Sequence, residues 1–151
     1  MADLVDSTTV DRRLAYALLR VILGINIALH GITRIAMGTD AFAHTLMPMF
    51  AKTPLPGWSV YAFGLCLPWA EAITGLLVLA GAASRFAYVL GMLQLAALMF
   101  GVGLRQDWPT ASLQLTYALI YFVLLAGRSY NRYSVDAWLA GGKGRQTSGV
   151  S

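Results

Sequence analysis

Cysteine is nearly missing from this chain. Cys66 is the only one in 151 residues, so no intrachain disulfide, CxxC pair or cysteine-rich metal site can form. Paired-thiol redox chemistry is thereby excluded, and Cys66 reads as a small buried hydrophobe. Histidine is almost as scarce. Of His30 and His44, only His30 lies in an apolar run, so one chain has no in-membrane pair to hold a haem, and no metal site is expected. Charge is low as well. Charged residues make up 12% of the chain, about half the usual share of a soluble domain. The net charge of +4 comes without a basic run or a basic-aromatic groove, so no nucleic-acid partner is expected.

What is abundant is apolar surface, at 58% of residues. The length suits one domain, and hydrocarbon is the solvent this composition fits. The central stretch is Trp58 to Gly81, long enough to cross a bilayer and holding one carboxylate, Glu71. A charge at that depth costs a few kcal/mol or more unless paired or hydrated. Gly64, Pro68, Thr74 and Gly75 fall near the Glu71 face, and such small residues allow a second helix to approach.

The expected architecture is all-α: an integral membrane four-helix bundle. Residues 1–13 form a polar N-terminal segment, mobile over 1–11. A transmembrane domain over 14–139 has spans at about 14–37, 58–81, 86–104 and 110–127, and 140–151 form a flexible tail. Arg12 and Arg13 precede the first apolar run, but that run is long, contains Arg20 and lacks a small-residue cleavage site, so it reads as a retained helix. Between the first two spans, Phe42, Leu46, Met49 and Phe50 repeat at helical spacing. This predicts a short amphipathic helix on the outer membrane surface, interrupted at Pro48. Ser134 is placed to cap a second short interfacial helix near the C terminus. Arg12, Arg13, Arg85, Arg128, Arg132, Lys143 and Arg145 fall on one side of the four-span topology, against Arg34, Lys52 and Arg105 on the other. The positive-inside rule then puts both termini in the cytoplasm.

Depth estimated from helical rise sorts the polar residues into two layers. Arg20, Glu71 and Gln94 fall in the inner half, and His30, Gln114 and Tyr117 in the outer half. Arg20 and Glu71 are expected to form a buried ion pair between spans one and two. That layer reads as a structural salt bridge, as a proton or ligand site, or as an Arg20 that snorkels to the surface. His30 reads as a helix-packing residue, as a quinone or headgroup contact, or as a metal ligand.

The chain resembles a known family in LLRVILGINIALHGITRIAMG, in WAEAITGLLVLAGAASRFAYVLGM and in YNRYSVDAWL. With Arg20, His30-Gly31, Glu71 with Gly75, and Arg85 in order, it is similar to the DoxX family of small four-helix bacterial membrane proteins, including the DoxD-like subunits. The similarity runs from about Leu18 to Leu139. The family often has Lys where this chain has Arg34, which keeps charge but changes geometry. The resemblance implies a subunit of a quinone-linked oxidoreductase complex in the bacterial cytoplasmic membrane, such as thiosulfate:quinone oxidoreductase or a terminal oxidase. It would be an anchor that is not catalytic alone, with a bound quinone and no covalent cofactor. His30, Arg34, Gln114 and Tyr117 are then the candidate quinone contacts. Its partners would be the bilayer and other subunits, or further copies of the chain. Two other readings stand beside this one: an assembly protein that binds a partner through its outer loop, and a small-solute or proton pathway through the Arg20–Glu71 layer.

Overall fold

The computed structural model describes residues 2–147, with side chains described for 7–141. The described chain contains six α-helices: α1 (Ala2–Ala36), α2 (Thr39–Phe50), α3 (Gly57–Ala80), α4 (Ser84–Leu104), α5 (Trp108–Ala126) and α6 (Val135–Thr147). A short 3₁₀ turn, Arg128–Tyr130, separates the last two. Four of these, Ser7–Ala36 within α1 together with α3, α4 and α5, are long and apolar enough to cross a membrane. Their outward faces carry large apolar side chains, among them Ile22, Leu29, Trp69, Leu76, Leu93, Leu119 and Phe122. Water would not tolerate such a coat over every long helix, whereas hydrocarbon does. The chain is a multi-pass membrane protein.

At both chain ends the helices run on beyond the expected spans. The segment expected to be polar and mobile is helical from Ala2. Met1 lies outside the described residues. The tail expected from 140 is helical as far as Thr147. Ser134 Oγ accepts from Ala137 N at 3.2 Å and caps α6. Residues 148–151 lie outside the described part. Cys66, expected to be buried, is exposed on the outward face of α3.

α1 and α3 form the closest helix pair, and glycine sets their register. A Cβ on Gly24 would lie 2.5 Å from Leu79 N, and Cβ atoms on Gly31 and Gly75 would land on the backbones of Ala72 and Ala28. Such contact of backbone with backbone needs residues without side chains. α2 packs along the first half of α3, where Ala43 is completely buried against Gly64. It runs through Pro48 to Phe50 without a break. Tyr16, Leu23, Val78, Tyr88, Tyr121 and Leu124 form the apolar core on the far side of the bundle from α2.

That far end is tied together by polar groups. Gly81, at φ 65, closes α3 in the left-handed conformation glycine tolerates. Its N–H donates to Val78 O at 3.1 Å, and Ala82 N donates to Leu77 O at 3.0 Å, the paired bonds of a Schellman ending. The Asp136 carboxylate then accepts from Ala83 N and Ser84 N, each at 2.8 Å, and caps α4 from a distant part of the chain. Burial alone would raise the Asp136 carboxyl. Its hydrogen bonds from Ser84 and Ala83 and the nearby Arg128 charge outweigh that and hold it below the usual carboxylate range.

Candidate functional site

Among the described residues the two buried charges, Arg20 and Glu71, are 4% and 6% exposed. They do not meet, and the expected ion pair between them is corrected. Arg20 turns to α3's last turn. Its Nη1 donates to Val78 O at 3.0 Å and Leu79 O at 2.7 Å, and its Nη2 donates to Tyr133 O at 2.7 Å. A cation suits the carbonyls and negative dipole end of a helix C terminus. Glu71 pairs instead with Arg34.

The reason is register. The expectation set the inner ends of the two helices level. The contacts of Gly24 with Leu79 and of Gly75 with Ala28 put Arg20 just beyond the end of α3. Glu71 lies about 12 residues away on that register, roughly 18 Å along the axis, opposite the penultimate turn of α1. Gln94, expected in the same layer, donates to Thr74 Oγ1 at 2.9 Å, one turn along α3 from Glu71. It joins neither member of the expected pair.

Arg34 lines a cavity of about 560 Å³ between α2, α3 and α4. Phe42, Leu46, Met49 and Phe50 of α2 turn their apolar face into it, opposite Phe63 and Leu67 of α3 and Leu98 and Phe100 of α4. Phe63, Phe100 and Met49 are exposed, so the cavity opens sideways, towards the region of acyl chains. Among the described residues its only charged lining side chains are Arg34 and Arg105. Each guanidinium lies over a ring of α2, Arg34 at 4.7 Å from the Phe42 centroid and Arg105 at 5.4 Å from that of Phe50. The lining hydroxyls are engaged elsewhere. Thr45 donates to Phe42 O at 2.7 Å and Ser59 to Pro56 O at 2.7 Å. The two guanidiniums are therefore the side-chain donors this cavity can offer.

Of the four expected contacts, the structure brings only Arg34 to this cavity. His30 is exposed, and its Nδ1 donates to Asn26 O on its own helix at 2.8 Å. It therefore faces outward. Tyr117 packs against the apolar core. Gln114 has a buried Oε1 with no hydrogen-bond partner and does not line the cavity. The sequence reading missed Arg105, Phe63 and Phe100. A charge after an apolar span reads only as a span boundary, and single phenylalanines facing lipid and facing a cavity look the same. The apolar spacing of α2 was the one available signal. Comparison with protein-family models, with curated proteins and with solved structures finds no match.

Proposed function

We propose that this chain is a DoxX-like membrane subunit of a quinone-linked oxidoreductase complex, and that the cavity between α2, α3 and α4 receives the quinone. The observation that carries the reading is an apolar, laterally open slot with Arg34 fixed at its wall by a buried carboxylate. A quinone needs an apolar slot and one or two donors to its carbonyl oxygens. Arg34 and Arg105 supply the donors, and the phenylalanines of α2, α3 and α4 supply the slot. Glu71 has the positioning role, since it holds the Arg34 guanidinium in one orientation. His30, Gln114 and Tyr117 are left out of this site.

In this reading the redox group that exchanges electrons with the quinone belongs to a partner subunit, and this chain anchors and positions. The arginine bias puts both termini in the cytoplasm and the α2 end of the bundle outside, in a bacterial cytoplasmic membrane. The test is extraction of the protein in polymer nanodiscs, followed by quantitation of copurified and added quinone. Wild type should hold quinone. Leu98→Trp, which fills the cavity from α4, should lose it while the melting temperature stays near that of wild type. A wild type that neither retains nor takes up quinone would falsify the reading.

A further inference from the structure

The charges around the cavity do not suit a wholly neutral occupant. Glu71 answers the charge of Arg34. Arg105 is answered only loosely, by an ion pair without a hydrogen bond. Its nearest carboxylate oxygen, Asp107 Oδ2, lies at 3.7 Å, beyond hydrogen-bond distance. Asp107 is already engaged in capping α5. Its Oδ1 accepts from Thr110 N at 3.3 Å and its Oδ2 from Thr110 Oγ1 at 2.9 Å. Among the described residues no carboxylate lines the cavity. A neutral molecule seated there would strip water from the Arg105 N–H groups and leave only the loose Asp107 contact to answer them, and that desolvation is costly. An anionic oxygen would return both charge and hydrogen bonds.

We infer that the cavity binds an amphiphile whose head is an anionic oxygen, held at Arg105, with its apolar body along Phe63, Leu67, Leu98 and Phe100 towards Arg34. The inference rests on the reading that a lipid-soluble molecule occupies this cavity, and it names the charge of that molecule's head. Two sources share the chemistry: the ionised hydroxyl of a hydroxylated or reduced quinone, and the carboxylate of a lipid. Arg34 and Arg105 divide the work. Arg34, with its charge already balanced, supplies donors that a neutral carbonyl can also use. Arg105 supplies the charge preference.

The experiment measures binding to the full chain in nanodiscs of uncharged lipid. The probes are an alkyl naphthoquinone, its 2-hydroxy derivative at a pH where the hydroxyl is ionised, and an alkyl carboxylate of the same chain length. The ionised hydroxyquinone should bind at least about tenfold more tightly than its neutral parent, the size expected of a charge-assisted hydrogen bond. In Arg105→Gln that ratio should fall to near one, whatever the loss of the neutral parent, with the melting temperature unchanged. A ratio near one in wild type overturns the inference, and so does a preference that survives Arg105→Gln. If the alkyl carboxylate binds through Arg105 and neither quinone does, the anionic head stands and the quinone reading falls. If the neutral quinone binds with no charge preference, the quinone reading stands and this inference falls.

Discussion

The two ends of the bundle treat buried charge in opposite ways. At the end where α3 passes to α4, each charge closes on the chain itself. Arg20 meets the carbonyls of Val78, Leu79 and Tyr133, and Asp136 meets the amides of Ala83 and Ser84. Asn131 Nδ2 donates to Ser84 Oγ at 2.9 Å, and Tyr16 Oη lies 2.9 Å from Tyr88 Oη and from Leu124 O. At the α2 end, one guanidinium meets one carboxylate closely, a second reaches a carboxylate only at 3.7 Å, and both border an apolar cavity. A buried charge is therefore not by itself a sign of function in this chain. The sign is a charge whose donors are left over beside a space. The first end should govern stability and the second should govern binding, and substitutions can separate them.

The largest effect should come from breaking the register that keeps the ends apart. Gly75→Leu puts a branched side chain into the backbone of α1 at Ala28. No rotamer relieves a clash with main chain, so α1 and α3 must separate. The expected outcome is loss of the folded, monodisperse protein on size-exclusion chromatography. Ile73→Leu, on the exposed face two residues away, should elute as wild type.

Arg20→Met should come next, with a loss of about 3 kcal/mol. It leaves the carbonyls at the end of α3 without their donor inside a site that excludes water. Arg20→Lys should recover only part of that loss, because one ammonium cannot replace a fork that reaches both α3 and Tyr133. Thermal melts of the two variants check both statements, and quinone content normalised to folded protein should not change. A selective loss of quinone in Arg20→Met would erase the distinction between the ends.

A middle-sized effect is expected at the Arg34–Glu71 pair, and it should be lopsided. The Glu71 side chain is 8% exposed and that of Arg34 26%. Arg34→Met strands the more deeply buried charge, at a cost of about 3 kcal/mol. Glu71→Leu leaves an arginine that can reach towards water, at about 1 kcal/mol. The double variant should lose less than the two single losses combined, which a double-mutant cycle in nanodiscs measures. Equal losses for the two single variants would mean that Arg34 is as confined as Glu71.

The sequence made the four spans readable, because length and apolar content decide which helices can cross a bilayer. It also marked Glu71 as a charge in need of a partner. It did not give the partner, because that depends on how far α1 slides along α3. The slide is set by contacts of Gly24, Gly31 and Gly75 with opposing backbone. Antiparallel alignment of those glycines, rather than of the helix ends, was the signal available. His30 was misleading for a related reason. A histidine in an apolar run suggests a ligand contact, but here it bonds to its own helix at Asn26. The cavity was half visible, since the spacing of Phe42, Leu46, Met49 and Phe50 showed that α2 has an apolar face. What that face meets is a tertiary matter, and α3 and α4 supply the other wall.

The smallest effect should be at Asp136, and pH isolates it. The carboxylate caps α4, and its folded-state pKa lies below the usual value. A group with a depressed folded pKa adds stability above its unfolded pKa, which for Asp is about 4. That stability disappears as pH falls through the lower folded value, because the unfolded chain then takes up its proton first. Asp136→Asn keeps the size and one acceptor but removes the charge that faces the helix N terminus. At neutral pH the variant should melt lower than wild type by an amount worth about 0.5–1 kcal/mol, the range of a partly exposed cap. The gap should hold down to about pH 5 and then narrow through the acid range as the wild-type carboxylate protonates. Salt should shrink it as well, since the charge is only part-buried. Arg34→Met, at the other end, should show no such closing of its gap through Asp136. A gap for Asp136→Asn that stayed constant to low pH would mean that the carboxylate acts only as a hydrogen-bond acceptor and that its charge adds nothing to the capping of α4.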